Sequence, residues 1–233
     1  MTILKQLQNG LVVSCQPVDD GPMDRPDIIL AMAQAAIAGG AVGVRVEGAD
    51  NVAAVRTGVT QPIIGIVKRD LDDSPVRITP WVQDVVDLAQ AGADVIAYDA
   101  TDRVRPTACA ELVREILARG CLAMADCATM ADAKAAAADG AQILGSTLSG
   151  YTVETAGDNT SPDLKFVSEL RALNHFVMAE GRYDTPQWAR KALEAGADCV
   201  TVGTVLTRLE VNTAKFHEAL PKRDGDNGDV RVG

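Results

Sequence analysis

The stretch Gly92-Ala93-Asp94-Val95-Ile96 follows a segment of helical periodicity and opens a run of apolar residues. Glycine often ends a helix because it adopts the left-handed conformation easily, and an apolar run is typical of a buried strand. The same order of helix, glycine, alanine and strand recurs at Gly40, Gly140 and Gly196, at intervals of 52, 48 and 56 residues. Each interval holds two strand-helix units of about 25 to 30 residues, so the repeat predicts eight strands.

The predicted strands are nearly continuous apolar runs, which is the pattern of parallel strands covered on both faces by helices. Eight such units in 233 residues predict a single α/β domain, a (β/α)8 TIM barrel. We expect strands at residues 11–16, 41–47, 62–68, 93–99, 121–126, 141–146, 176–180 and 199–203, and a last helix at 205–219. The barrel is expected to span residues 1–221, and the Gly- and Asp-rich segment 222–233 to be a disordered tail.

Helix boundaries are indicated by two kinds of residue. Thr79-Pro80, Ser161-Pro162 and Thr185-Pro186 each place a hydroxyl before a proline, the pattern of a capping residue followed by the first helical position. Glycines 40, 92, 120, 140 and 196 are predicted to end helices.

Composition excludes several classes of protein. The net charge of −10 disfavours binding to nucleic acid or to an anionic membrane surface. No segment approaches the roughly 20 apolar residues of a membrane span, and the N-terminus lacks a secretory signal, so we expect a cytoplasmic protein. The five cysteines form no CxxC pair and are expected to be reduced. Neither histidine has metal-ligand spacing, so we expect no metal site.

Charged residues end two of the predicted strands. Lys68 closes the apolar run Ile63-Ile64-Gly65-Ile66-Val67, and Glu180 closes Phe176-Val177-Met178-Ala179. The carboxyl ends of all strands in a parallel barrel open on one face, and side-chain alternation places both charges on the inside. The sequence therefore predicts that a base and an acid share one mouth.

Further polar residues end other strands. They include Gln16, Arg45 and Asp126. Glu47 and Asp99 are also at strand ends, but each is explained at least equally well as a solvated or ion-paired rim residue. Several charges that converge on one mouth perturb each other's proton affinity, which is typical of an active site.

A phosphate site is indicated by glycine-containing turns after the last three strands. The residues concerned are Gly150, Tyr151, Gly181, Arg182, Gly203 and Thr204. They would offer backbone N–H groups, hydroxyls and one guanidinium. Barrels often bind phosphate at the loops after strands seven and eight.

The chain resembles the N-acetylmannosamine-6-phosphate 2-epimerase family over residues 8–220. The resemblance rests on seven segments, each at a predicted strand end. These are residues 10–16 (GLVVSCQ), 40–45 (GAVGVR), 64–70 (IGIVKRD), 99–101 (DAT), 124–126 (MAD), 147–152 (TLSGYT) and 179–182 (AEGR).

This resemblance implies a barrel of the ribulose-phosphate-binding type that interconverts N-acetylmannosamine 6-phosphate and N-acetylglucosamine 6-phosphate, with no cofactor. It implies that Lys68 and Glu180 are catalytic. Lys68 would remove the proton at C2, while Glu180 could open the sugar ring, carry a proton or act as the acid on the opposite face. A phosphorylated N-acetylhexosamine is the expected partner, and a homodimer is plausible because such barrels often pair.

The resemblance also assigns the binding residues. Gln16, Arg45 and Asp126 would contact the sugar or its developing charge, and the glycine-containing turns with Arg182 would hold the phosphate. The chain departs from the family pattern at Thr204, which replaces a second glycine and brings a side chain near the phosphate.

Two alternatives remain open from the sequence. In one, Lys68 forms a Schiff base, as in a phosphosugar lyase of the same fold. In the other, the barrel binds a phosphosugar without turning it over, and Lys68 is dispensable.

Overall fold

The computed structural model of the protein describes residues 1–157 and 160–221, so the predicted tail at 222–233 lies outside the described residues. Its eight strands form one closed barrel in chain order, and every neighbouring pair is parallel. The predicted (β/α)8 TIM barrel is therefore confirmed. The strands are β1 Gly10–Cys15, β2 Gly43–Glu47, β3 Ile63–Ile66, β4 Val95–Asp99, β5 Leu122–Asp126, β6 Ile143–Gly145, β7 Phe176–Glu180 and β8 Cys199–Val202.

Ten helices are present in the described residues. They are α1 Ile3–Leu7, α2 Pro26–Ala38, α3 Ala49–Arg56, α4 Val82–Gln90, α5 Cys109–Ala118, α6 Met130–Asp139, α7 Leu164–Arg171, α8 Pro186–Glu194, α9 Thr204–Thr207 and α10 Leu209–Glu218. The helix expected at 205–219 is thus two helices that meet at Arg208. Each of these ten helices is too short or too polar to span a bilayer.

The Gly-Ala repeat has a structural basis. The helix-ending glycines at 40, 92, 120, 140 and 196 all have φ between +77° and +107°, as predicted. The residue after the alanine then caps the preceding strand: Asp94 accepts the N–H of Ile63 (2.9 Å), and Asp198 accepts that of Val177 (2.9 Å). The repeat therefore marks both a helix end and the link between two strands.

Two of the three predicted helix starts are wrong. Trp81 is the N-cap of α4 in place of Thr79, and Asp163 is the N-cap of α7 in place of Ser161. Thr185 is confirmed, because its hydroxyl accepts the N–H of Trp188. The Thr79 hydroxyl instead bonds to the backbone of Val67, just after β3, and of Ala97 in β4.

The barrel interior is packed at one end and open at the other. An inner apolar cluster includes Ile64, Ile66 and Met178, which confirms the predicted alternation in β3 and β7. Leu7 of α1 is fully buried in the same cluster, next to the amino ends of β1 and β8. The carboxyl ends of the strands are left to form the mouth.

Strand β3 is shorter than predicted, because it ends at Ile66 and Lys68 lies two residues beyond it. Residues 67–79 fold into a hairpin-like loop in which Lys68 pairs antiparallel with Ile78. The Ile78 carbonyl accepts the N–H of Asp99 at the end of β4 (3.0 Å). The returning arm of this loop therefore lies between β3 and β4 at the mouth.

Candidate active site

A cavity of about 420 Å³ occupies the carboxyl end of the barrel. This size lies within the usual range for small-molecule sites. All eight βα units except the fourth and fifth supply residues to its wall. The lining residues are Ser14, Gln16, Arg45, Ile66, Lys68, Ile78, Thr147, Leu148, Tyr151, Glu180, Gly181, Arg182, Tyr183, Asp184, Thr201, Gly203, Thr204, Thr207 and Arg208.

Lys68 lies on this wall, as the strand-end argument predicted. Its backbone N–H donates to Glu47 Oε1 (3.1 Å), which fixes the main chain at the point where the side chain leaves. Burial lowers the pKa of Lys68, and the positive charges of Arg208 and Arg45 act in the same direction, while Asp19 and Glu47 oppose them. The environment of Lys68 therefore shifts its equilibrium towards the neutral amine.

Arg45 lies at the centre of the charged cluster and is 1% exposed. Its Nη1 and Nη2 donate to Asp126 Oδ1 (3.2 Å) and Oδ2 (2.6 Å), and Nη1 also donates to Glu180 Oε2 (3.0 Å). Burial acts to lower the pKa of Arg45, but Asp126 and Glu180 outweigh it and the pKa is raised. One permanent cation thus bridges two carboxylates.

Glu180 borders the cavity and contacts this cluster. Burial raises its pKa to about 7, with Asp126 adding to the shift and Arg45 and Lys68 opposing it. Its backbone is fixed on both sides by Ser146, whose hydroxyl donates to the Glu180 carbonyl (2.9 Å) and accepts the Glu180 N–H (3.1 Å). Glu180 is therefore a rigidly held carboxyl that titrates near neutral pH.

Asp126 is fully buried and is not among the residues that line the cavity. Besides Arg45, it accepts a hydrogen bond from the Thr147 hydroxyl (2.5 Å). Both of those partners do line the cavity. Asp126 thus lies behind the cavity wall and contacts two residues that form it.

The predicted phosphate residues mostly share the cavity. Tyr151, Gly181, Arg182, Gly203 and Thr204 line it, whereas Gly150 does not. The N–H of Gly150 donates to the Thr155 hydroxyl (2.9 Å) and so helps to shape the loop.

The guanidinium of Arg182 supports the same loop. It donates to the carbonyls of Ser161 (2.9 Å) and Ser149 (3.1 Å) and stacks on the Tyr151 ring at 5.1 Å. Two of its N–H groups are therefore used within the protein.

Gln16 follows β1 and lines the cavity, where its amide donates to Ser14 Oγ (2.7 Å). Arg208 is a cation that the sequence argument missed. It lines the cavity, its Nε donates to the Gln16 carbonyl (3.4 Å), and it acts on the pKa of Lys68. A signal existed, since a Thr-Arg pair follows the last strand, but a short helix separates it from the strand end.

No group of three or more potential metal-ligating side chains occurs in residues 1–157 and 160–221. All five cysteines are free thiols. Asp99, a rim candidate, is paired with Arg103 (2.6 Å) and does not line the cavity.

A family model described as "Putative N-acetylmannosamine-6-phosphate epimerase" matches residues 29–222. The chain belongs to this epimerase family. A relative from Actinobacillus pleuropneumoniae serotype 5b, described as "Putative N-acetylmannosamine-6-phosphate 2-epimerase", is 58% identical over 208 residues, 89% of this chain and 90% of that protein. A Haemophilus influenzae relative with the same description is 57% identical over 208 residues, with the same coverage.

One solved structure agrees with this assignment, and a second matches in fold alone. The N-acetylmannosamine-6-phosphate 2-epimerase from Clostridium perfringens has a TM-score of 0.90 and 36% identity, covering 94% of this chain and 97% of that one. Thiamine phosphate pyrophosphorylase from Pyrococcus furiosus has a TM-score of 0.61 at 16% identity, covers 91% of this chain and 94% of that one, and shares the fold alone. The resemblance indicated by the sequence is confirmed.

Proposed function

We propose that this protein is an isomerase that interconverts N-acetylmannosamine 6-phosphate and N-acetylglucosamine 6-phosphate, as its family membership implies. The single observation that carries the proposal is that Lys68, Arg45 and Glu180 border one cavity at the mouth of a barrel of this family. The two sugars differ only in configuration at C2. Moving one proton from one face of C2 to the other therefore completes the reaction.

The chemistry follows from the open-chain form of the sugar. The C1 aldehyde acidifies the neighbouring C2–H bond, because the electron pair released from it moves into a C1–C2 double bond and the negative charge moves to the C1 oxygen. Return of a proton to the opposite face restores the aldehyde and inverts C2. No electrons are gained or lost overall, so the proposed reaction needs no redox cofactor.

Lys68 is the proposed base at C2. A lysine with an ordinary pKa is almost fully protonated near neutral pH, and burial lowers the pKa of Lys68 and increases the neutral fraction. The hydrogen bond from its backbone to Glu47 fixes the origin of the side chain.

Glu180 is the proposed acid on the opposite face. Its pKa, raised to about 7, keeps a substantial protonated fraction at neutral pH, which an ordinary glutamate lacks. The double hydrogen bond of its backbone to Ser146 fixes the strand end from which the carboxyl extends.

Arg45 is the proposed stabiliser of the enolate. A developing negative charge is favoured near a guanidinium that is already fixed in place, and Asp126 fixes Arg45 through two hydrogen bonds. Asp126 would therefore act on the substrate through Arg45 and Thr147. Gln16 would bind polar groups of the sugar.

The phosphate would be held at the same mouth by residues that follow β7 and β8. Arg208 is the strongest candidate, because it lines the cavity and has no carboxylate partner within 4.0 Å in the described part of the chain. Gly181, Gly203 and Thr204 would add backbone N–H groups and one hydroxyl. Arg182 would hold Tyr151 and the surrounding loop in place and add positive charge.

We also propose that residues 1–221 act as one catalytic domain and that two copies associate. Support for a homodimer comes from α10 and its end, where Leu209, Phe216 and Leu220 are 62%, 78% and 65% exposed. A second copy would cover this apolar surface. Sedimentation analysis should give twice the chain mass, and a monomer at micromolar concentration would exclude the pairing.

The free thiols fit a reducing compartment such as the cytoplasm.

Turnover and trapping together test the proposed activity. Purified protein should convert N-acetylmannosamine 6-phosphate to the gluco epimer without an added metal or cofactor, and borohydride should trap no adduct on Lys68. A trapped adduct would indicate a Schiff-base lyase. Binding of the sugar phosphate without conversion would indicate a barrel that only binds.

A further inference from the structure

Thr79 has an unusual backbone conformation. Its φ is +47° and its side chain is fully buried. The other residues with positive φ in residues 1–157 and 160–221 are glycine, asparagine, aspartate and one arginine, so Thr79 is the one β-branched residue among them. A β-branched side chain in this region is strained, and such strain persists where the surrounding structure imposes it.

Three hydrogen bonds hold Thr79 in this conformation. Its N–H donates to the Val67 carbonyl (2.7 Å), and its hydroxyl accepts the Val67 N–H (3.3 Å) and donates to the Ala97 carbonyl (2.7 Å). Val67 follows β3, and Ala97 lies in β4. One threonine thus connects two segments that would otherwise be neighbouring strands.

The strands are separated at this point. The ladder between β3 and β4 contains two residue pairs, whereas that between β4 and β5 contains five. Beyond the second pair, Ile78 and Thr79 occupy the space between the strands and provide the hydrogen bonds that the ladder lacks. Without the hydroxyl, the N–H of Val67 and the carbonyl of Ala97 would each lose a partner.

Lys68 is the residue after Val67. Its own N–H is bonded to Glu47 Oε1 on the β2 side (3.1 Å), so the peptide that carries Lys68 is held by Glu47 on one side and by Thr79 on the other. Thr79 does not line the cavity and cannot contact a ligand there.

We propose that Thr79 is a positioning residue that sets the place of Lys68 at the barrel mouth by bridging Val67 and Ala97. The inference rests on the proposed function in that Lys68 is taken as the base. A base must lie within about 3 to 3.5 Å of the reacting atom, and a displacement of about 1 Å can cost about 10²-fold in rate. Loss of the two hydroxyl hydrogen bonds would therefore lower kcat and leave KM nearly unchanged.

Three variants separate the hydroxyl from the backbone strain. Thr79→Val keeps the shape and removes the hydroxyl, Thr79→Gly removes both the hydroxyl and the strain, and Thr79→Ser keeps the hydroxyl. We expect kcat to fall about 10- to 100-fold in the valine and glycine variants, with KM within about threefold of wild type, and to recover in the serine variant.

Thr129→Val is the matched control. Thr129 is the N-cap of α6 and also loses a hydroxyl hydrogen bond on substitution, but it lies outside the cavity. Its kcat should stay within about threefold of wild type.

The position of Lys68 can also be measured without turnover. Acylation of the Lys68 amine by a small reagent, followed by mass spectrometry across pH, reports its pKa directly. The charged groups that act on it are Asp19, Arg208, Glu47 and Arg45, and none of them is changed. We expect the lowered pKa of Lys68 to move towards 10.5 in Thr79→Val and Thr79→Gly and to stay lowered in Thr79→Ser and the control.

The turnover assay and the acylation profile distinguish failure of the proposed function from failure of the proposed role of Thr79. Absence of turnover in the wild type would refute the proposed function, while the acylation profile would still test the role of Thr79. An unchanged Lys68 pKa in both Thr79→Val and Thr79→Gly, or an unchanged kcat in an active enzyme, would overturn the positioning role. If Thr79→Val does not fold, Thr79→Gly alone decides by the same criteria.

Discussion

Replacing Asp126 by asparagine tests the charged cluster most specifically. Asp126 is fully buried and makes two hydrogen bonds to Arg45, at 3.2 and 2.6 Å, and one with Thr147. Asparagine has nearly the same shape but no charge, and its amide can accept through one oxygen only. The substitution therefore leaves Arg45 with Glu180 as its remaining carboxylate partner.

The size of the effect follows from burial. Removing one partner of a buried ion pair costs about 3 to 5 kcal/mol, and the acceptor retained by asparagine places this case near 3 kcal/mol. For a domain of this size, about 2 to 4 °C of Tm is lost per kcal/mol, so we expect Tm to fall by about 6 to 12 °C. If Arg45 has the proposed role of stabilising the enolate, the loss of its fixed position should also lower kcat by about 10²-fold.

Asp99→Asn provides the matched control. Asp99 is the register partner of Asp126 on β4, is 1% exposed and forms an ion pair with Arg103. Neither residue of that pair lines the cavity. Thermal unfolding should show a comparable loss of Tm, while the kcat for N-acetylmannosamine 6-phosphate should stay within about threefold of wild type.

The combination of results decides the matter. Asp126→Asn with wild-type kcat would show that the position of Arg45 does not limit the reaction, and the proposed role of the cluster would be wrong. Equal losses of kcat in both variants would indicate that general destabilisation, and not the Arg45 contact, lowers the rate.

Three further predictions concern the groups that face the substrate. Lys68→Met should abolish turnover measured by NMR while far-UV circular dichroism and Tm stay close to wild type, since Lys68 is only partly buried. The proposed reaction needs neutral Lys68 and protonated Glu180, so the active form of these two groups carries one proton in total. Because burial raises the pKa of Glu180 to about 7, the two groups gain a second proton as the pH falls through about 7, and kcat/KM should decrease. Glu180→Gln should lack that decrease in any residual activity. Arg208→Gln should raise KM for the sugar phosphate at least about tenfold with a smaller change in kcat, because a charged hydrogen bond contributes about 1.5 to 3 kcal/mol.

The number and order of the strands could be predicted from the sequence because the same residue types recur at the end of each helix and the start of the next strand. Each helix-ending glycine needs positive φ, and the residue two positions later accepts a hydrogen bond from the preceding strand at Asp94, Gln142 and Asp198. The local sequence is therefore sufficient to locate the βα units.

The wrong predictions for the start of α4 and the end of β3 arose because residues there bond to segments distant in the sequence. Thr79 before a proline has the pattern of a helix cap, but its hydroxyl bonds to Val67 and Ala97, 12 and 18 positions away. The strand predicted to reach Lys68 ends at Ile66 for the same reason. Such contacts depend on how two strands separate, which a single sequence does not record.

The candidate site was partly predictable. Lys68, Arg45 and Glu180 follow from strand ends that share a mouth, and the structure brings them to one cavity. The depth of Asp126 beneath Arg45 depends on side-chain packing across the barrel. Arg208 was missed because it follows α9 and not a strand end.

The most direct test of the central claim is proton NMR of N-acetylmannosamine 6-phosphate incubated with the wild-type protein in heavy water. We expect the signals of N-acetylglucosamine 6-phosphate to grow, with deuterium at C2 of the product, because the proton on Glu180 exchanges with solvent before it is delivered. An unchanged spectrum, or a product that fully retains its C2 proton, would contradict proton removal and return by Lys68 and Glu180.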